Sequence, residues 1–321
     1  MKAIVYYNYG SPDVLKCEEI EKPTAEDNEV LIKVRAASLN ALDWRLMRGG
    51  PYIVRMLFGL RKPKTTQPGR PGRDVAGQVE AVGRNVTRFK PGDEVFGVCP
   101  GAFAEYACAL EDKLALKPAN ITFEDAAAVP VAAITALQGL RDKGRIQPGH
   151  KVLVDGASGG VGTFAVQIAK SFGAEVTAVC STRNVDTAQS IGAGHVIDYT
   201  RDDFTKSGQR YNLIIAANAY HSIFDCRRAL SQDGIYVMAG GGWAQILQAV
   251  LLGPLLSLIG RKKMCLFMAN INHKDLVLLK DLLEAGKVVP VIDRRYPLSE
   301  VAEAIRYLEE GHARGKVVIT L

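Results

Sequence analysis

Val152-Leu153-Val154-Asp155-Gly156-Ala157-Ser158-Gly159-Gly160-Val161-Gly162 decides how this chain folds. An apolar run fit for a buried strand meets a glycine-rich turn, and the turn opens a helical pattern at Val161 to Phe172. Gly156, Gly159 and Gly162 stand at G-x-x-G-x-x-G spacing. Glycines there permit a tight turn and close approach of backbone to a pyrophosphate. The helix N-terminus adds free N–H groups and a favourable dipole. A turn of this kind can also bind nothing, so its neighbours must be read.

Working outward, strands and helices alternate. Strands are expected at Lys151 to Val154, Glu175 to Val179, His195 to Ile197, Leu213 to Ala217, Ile235 to Met238 and Met264 to Ala269. Helices are expected at Asn184 to Ile191 and Ile223 to Leu230. Six strands with crossovers predict a doubly wound parallel sheet, and in that setting the glycine turn reads as a dinucleotide site. The second strand runs out through Val179-Cys180-Ser181-Thr182-Arg183-Asn184, with no acid to hold a ribose 2′-hydroxyl. Ser181 and Arg183 suit a 2′-phosphate, which a carboxylate would repel. They also suit a helix cap and a solvated charge. This reading favours NADPH over NADH.

Residues 1–120 read differently. Short runs such as Val30 to Val34 and Val75 to Val82 are separated by turn signals at Gly10-Ser11-Pro12, Pro91-Gly92-Asp93 and Pro100-Gly101. That pattern predicts a barrel or sandwich. It changes near residue 122, where Thr122-Phe123-Glu124-Asp125 caps a helical stretch from Ala126 to Leu140. Beyond the alternating region, helices are expected at His273–Glu284 and Ser299–Glu309, with strands at Val288–Ile292 and Lys316–Leu321.

The 321 residues suit about two domains, and 48% hydrophobic with 23% charged residues suits a globular chain. The net charge of +6 suits a phosphorylated ligand, an anionic surface or nucleic acid. Six cysteines without CxxC spacing favour a reducing cytosol over a disulfide scaffold. The start of the chain lacks a signal-peptide pattern, and no 18-residue apolar run is present.

The segment Gly149-His150-Lys151-Val152-Leu153 through Ala157-Ser158-Gly159-Gly160-Val161-Gly162 to Gln167-Ile168-Ala169-Lys170 resembles the signature of one family. That family is the zinc-free quinone oxidoreductase branch of the medium-chain dehydrogenase/reductase superfamily. The resemblance extends over the whole chain. Gly72-Arg73-Asp74-Val75-Ala76-Gly77, Phe89-Lys90-Pro91-Gly92-Asp93-Glu94-Val95, Ser38-Leu39-Asn40-Ala41-Leu42-Asp43 and Gly315-Lys316-Val317-Val318 are all similar to its motifs. The resemblance implies a GroES-like β-barrel domain with an inserted Rossmann domain and the cofactor in the cleft between them. The expected division is 1–122 for the first part of the GroES-like domain, 123–272 for the Rossmann domain and 273–321 for the returning part. The zinc branch carries Gly-His-Glu where this chain has Gly72-Arg73-Asp74, and Cys where it has Asn40. No zinc site is therefore expected.

Without a Lewis acid, conjugated acceptors are favoured, because quinones and α,β-unsaturated carbonyls delocalise the charge left by hydride addition. Asn40 is the first candidate for the reacting end, either beside the nicotinamide or on a substrate carbonyl. A turn-forming Asn is its bland alternative. Tyr52 is a second candidate donor, Asp43 reads as structural, and Cys180 as a packed thiol. For cofactor contacts the resemblance points to Thr135, Ser158, Gly160, Val161, Ser181, Arg183, Tyr199 and Asn218. It also points to Gly240, Gly241 and Gly242, and to the closing Arg314, Gly315 and Lys316.

Two stretches stand apart. Between Asp43 and Asp74 there are eight bases and no acid, interleaved with Tyr52, Met56, Phe58 and other apolar residues. Ile246 to Ile259 is almost wholly apolar and runs into Arg261-Lys262-Lys263. A lid over a lipophilic substrate, a dimer interface and a peripheral membrane contact all fit them. The expected protein is thus a cytoplasmic NADPH-dependent reductase of a small lipophilic quinone or enone, monomer or homodimer. No nucleic-acid motif is present. Two alternatives remain, a non-catalytic NADPH-binding or interaction protein on the same fold and a zinc-independent reductase of simple carbonyls.

Overall fold

The structure, a computed structural model, describes residues 1–50 and 68–321. It divides into two compact units. One comprises Met1–Val131, Ile271–Ala285 and Pro290–Leu321; the other comprises Ala132–Asn270 and Gly286–Val289.

The first unit opens with β1 (Lys2–Val5) and β2 (Lys16–Glu19), an antiparallel pair. There follow β3 (Glu29–Ser38), α1 (Ala41–Met47), β4 (Asp74–Val82), β5 (Glu94–Val98), β6 (Tyr106–Leu110) and β7 (Leu114–Leu116). β3 and β4 pair over eight registered positions, with irregularities that bend the ribbon. Their inward residues Ile32, Val34, Val75 and Val79 join Phe103, Leu114, Val317 and Ile319 in one core.

The single helix expected from Ala126 to Leu140 is two, α2 (Phe123–Ala127) and α3 (Pro130–Gln138). Pro130 explains the break, since its ring fits a first helical turn but disfavours helix in the residue before it. Thr122 caps α2 by accepting from the Asp125 N–H at 3.1 Å. α2 packs on β3, β4, β5 and the last strand of the chain. It therefore lies in the barrel unit, and the division between units falls within α3 rather than at residue 122.

The second unit continues α3 through a π-helical turn at Gly139–Lys143. It then runs through β8 (Lys151–Asp155), α4 (Gly160–Ser171), β9 (Glu175–Cys180), α5 (Val185–Ser190), β10 (His195–Asp198), β11 (Tyr211–Ala216), α6 (Ile223–Ala229), β12 (Leu230–Met238), α7 (Trp243–Leu258) and β13 (Lys263–Leu266). The sheet order is β10-β9-β8-β11-β12-β13, and every pairing is parallel. In order along the chain this is 3-2-1-4-5-6, the arrangement whose strand order reverses beside β8 and opens a crevice at the carboxyl ends.

The chain then returns through α8 (His273–Glu284), β14 (Ile292–Pro297), α9 (Val301–Glu309) and β15 (Lys316–Thr320). The strand expected at Val288–Ile292 thus lies later. Pro290 cannot donate to a ladder, and the Val289 N–H is taken by Gln167 Oε1 at 2.8 Å. β15 joins β3 antiparallel, completing the sheet order β14-β15-β3-β4-β5-β7, with β6 also on β3.

Candidate active site

Each unit carries a cluster of the sequence candidates. In the barrel unit they converge on Asp74, at the start of β4, which is fully buried. Asp74 Oδ2 accepts from Ser38 Oγ at 2.8 Å, Asn40 Nδ2 at 2.9 Å and Lys316 Nζ at 3.0 Å. Its Oδ1 accepts from the Val131 N–H in the first turn of α3, at 2.9 Å. A carboxylate at a helix N-terminus is well placed against the dipole.

Lys316, at the start of β15, is buried as well. Besides Asp74 it donates to Leu39 O at 2.9 Å and Asn40 Oδ1 at 2.8 Å. An ammonium has three donors, and three acceptors use them. Lys316, expected to touch the cofactor, spends its ammonium on these three acceptors. Its ammonium holds one end of the Asn40 amide and Asp74 holds the other. Asn40 itself is half-buried at the head of α1.

Asp43 accepts from the Asn40 N–H at 2.7 Å, which locks the turn that presents Asn40. Burial pushes its carboxyl up to about 7, helped by the charge of Asp74 and opposed by that hydrogen bond, Lys316 and Arg73. Its expected structural role is what this contact provides. Tyr52 lies outside the described residues. Arg314 is exposed and its N–H donates to Asp293 Oδ2 at 2.9 Å. Gly315 has φ +116°, and a Cβ there would meet Val291 O at 2.2 Å, so backbone packing alone requires that glycine.

In the Rossmann unit the loop after β8 has the required form. Gly156 has φ +79°. A Cβ on Gly162 would lie 2.0 Å from Gly156 O and 2.7 Å from Ala157 Cα, so the turn closes only with glycine. Gly159 differs. It has φ −84°, and a Cβ there would meet only Gly156 O at 3.5 Å. The fold leaves room for a side chain at Gly159, at the N-terminus of α4, and that open cradle suits a pyrophosphate. Ser158, Gly160 and Val161 share the partly exposed turn.

At the end of β9, Cys180 is buried and its thiol is pushed up to about 11 by burial and then by Asp198. Ser181 Oγ accepts from Asn184 Nδ2 at 3.1 Å, which leaves the hydroxyl hydrogen to donate elsewhere. Arg183 is exposed and unpaired among the described residues. Asp198, at the end of β10, is engaged by Thr182 and Thr200, whose hydrogen bonds hold its carboxyl below the usual range. Tyr199 beside it is 60% exposed.

Asn218 is exposed beyond β11. Gly240 and Gly241 let the turns after β11 and β12 touch: a Cβ on Gly240 would lie 2.4 Å from Ala217 O, and Ala219 N–H donates to Gly240 O at 3.0 Å. Gly242 caps α7, and Thr135 is a buried hydroxyl on α3. Gly156, Ser181, Asn218 and Gly240 thus all stand at the carboxyl ends of adjacent parallel strands, where this fold binds nucleotides.

Sequence reasoning missed two groups. In the sequence Asp74 stands only inside a family motif and as a departure from the zinc branch, with no site role attached. Asp155, the last residue of β8, is buried with Oδ2 unpartnered, and burial pushes its carboxyl up to about 7 against a hydrogen bond from Gly156. An acid ending an otherwise apolar strand was the available signal. Among the described residues no three His, Cys, Asp or Glu side chains group as metal ligands.

A barrel joined to a 3-2-1-4-5-6 Rossmann sheet with a glycine cradle defines a pyridine-nucleotide oxidoreductase fold. Residues 26–119 match the alcohol dehydrogenase GroES-like domain family and residues 191–319 the zinc-binding dehydrogenase family. The chain is 37% identical to a 2-methylene-furan-3-one reductase of Solanum lycopersicum, across 99% of this chain and 79% of that one. It is 36% identical to a chloroplastic NADPH-dependent alkenal/one oxidoreductase of Arabidopsis thaliana, across 99% and 79%. A solved quinone oxidoreductase from Coxiella burnetii superposes with TM-score 0.88 at 30% identity, covering 100% of this chain and 99% of that one. The chain belongs to the quinone oxidoreductase branch of the medium-chain dehydrogenase/reductase superfamily, and it is an oxidoreductase.

Proposed function

We propose that this protein is an NADPH-dependent reductase of quinones or α,β-unsaturated carbonyls that works without a metal. The observation that carries the reading is the clamp on Asn40, whose amide oxygen faces the Lys316 ammonium while one N–H is held by Asp74. The Lys316 ammonium sits against the acidic group of this cluster. The donor set of Asn40, Asp74 and Lys316 is a poor one for zinc.

NADPH supplies a hydride when bound. The chain's residues do the rest. The loop Gly156 to Gly162 offers backbone amides to the pyrophosphate. Arg183 and Ser181 give charge-assisted hydrogen bonds to the 2′-phosphate. Lys316 draws electron density from the Asn40 amide and strengthens its second, unclamped N–H as a donor to an acceptor carbonyl. The enolate, or the hydroquinone monoanion, left by hydride addition is stabilised by conjugation, and one proton from solvent completes the reduction. The NADPH requirement of the alkenal/one relative and the quinone chemistry of the bacterial one support this choice of cofactor and acceptor.

The test is steady-state oxidation of NADPH and NADH with quinones, enones and simple aldehydes, in the presence of a chelator. Turnover of conjugated acceptors with NADPH, and little with aldehydes, is expected. Activity lost to the chelator and restored by zinc would overturn the reading.

A further inference from the structure

α7 carries an apolar face that remains exposed among the described residues. On its inner side Ile246, Ala249, Leu252, Gly253 and Leu256 lie against or within the Rossmann core, beside Met264 and Tyr236. On its outer side Leu247, Val250, Leu251, Leu255, Leu258 and Ile259 are each more than half exposed. Spacings of 3, 4, 8 and 11 from Leu247 put the five helical residues on one stripe, and Ile259 follows just past the helix end. No charged residue occurs from Trp243 to Gly260, and Arg261-Lys262-Lys263 follow directly.

The basic edge is larger than that triplet. Lys262 Nζ donates to Arg227 O at 2.9 Å. Burial, then the charges of Arg227 and Arg210, hold its ammonium below the ordinary range. Arg261 and Arg228 have acidic partners in Asp233 and Asp225. Arg210, Arg227, Lys262 and Lys263 have none among the described residues. Uncovered aliphatic side chains beside unneutralised cations complement an anionic bilayer, whose acyl boundary takes the former and whose headgroups take the latter. A second copy laid helix against helix would meet no acid in α7 to receive that edge.

We propose that α7 is a membrane-surface helix that lies in the plane of an anionic lipid bilayer through this stripe and its basic end. Sixteen residues make a helix of about 24 Å, and among the described residues no helix is long and apolar enough to cross a membrane. The contact is peripheral. Pro254 removes one N–H within the helix, and Ser257 Oγ ties its last turn to Gly253 O at 2.8 Å.

Co-sedimentation of the full chain with phosphatidylcholine vesicles, with and without phosphatidylglycerol, tests this at low and high salt. Binding to the anionic vesicles alone, weakened by salt, is expected. Leu251→Ser with Leu255→Ser, both exposed, leaves thermal unfolding unchanged and lowers the partition coefficient about tenfold or more. Lys262→Gln with Lys263→Gln removes the preference for anionic lipid. No binding at low salt, or binding indifferent to the leucine pair, overturns the proposal. So does light scattering that shows a dimer split by the leucine pair with vesicle binding unchanged, because the face then joins two copies of this chain.

Discussion

Lys316 Nζ lies 3.0 Å from Asp74 Oδ2, with both side chains almost wholly buried, and this contact ties the last strand of the barrel unit to its fourth. Removing one member of a buried pair strands the other, at a cost of about 3–5 kcal/mol. Lys316→Met and Asp74→Asn are each expected to destabilise the protein on that scale in urea unfolding. The double variant is expected to lose less than the sum of the two, as coupled sites do.

The clamp predicts a kinetic signature as well. Asn40→Ala removes the donor proposed for the acceptor carbonyl but leaves the ion pair. It is expected to lower kcat by about tenfold to a thousandfold with NADPH affinity nearly unchanged. Stopped-flow mixing of enzyme and NADPH with a quinone separates the two quantities.

Gly159 and Gly162 separate a need of the fold from a need of the ligand. Gly162→Ala brings a Cβ within 2.0 Å of Gly156 O and is expected to lower the melting temperature. Gly159→Ala meets nothing closer than 3.5 Å, so it folds with wild-type stability. Its methyl occupies the cradle, and fluorescence titration is expected to show weaker NADPH binding.

At the end of β9, Arg183→Ala is expected to weaken NADPH by about tenfold to a hundredfold while NADH changes little. Equal losses for both nucleotides would place Arg183 away from the 2′-phosphate.

Asp155 and Asp43 predict how stability varies with pH. Both carboxyls are raised from 3.8 to about 7 in the folded chain. The folded state therefore binds these protons more tightly than the unfolded state. Their stabilisation is full below the unfolded value and is lost as pH rises through about 7, with a slope of at most about 1.4 kcal/mol per pH unit for each group. Asp155→Asn cannot ionise. It is expected to flatten the curve between pH 4 and 8 by denaturant titration, and Asp43→Asn to remove the rest.

Much of the Rossmann unit was legible because its signals are local. A glycine turn between an apolar strand and a helix reads within eleven residues, and the alternation of elements orders the sheet. The barrel cluster was not legible. Asn40, Asp74 and Lys316 are separated by 34 and 242 positions, and nothing local marks Lys316 as the buried lysine among many exposed ones. The same limit applies to β14, which Pro290 pushes beyond the apolar run at Val288–Ile292, and to α7. A stretch holding Gly253 and Pro254 has poor helix propensity, and packing on the Rossmann core overrides it. Asn40 lies at the centre of a cluster whose contacts only the fold brings together.

The central claim is direct hydride transfer from NADPH to a conjugated acceptor. C4-dideuterated NADPH, reacted with an enone over the chelator-treated enzyme and read by mass spectrometry, tests it most directly. One deuterium at the β-carbon of the saturated product is the predicted result. A product without deuterium, or no saturated product at all, would contradict the account.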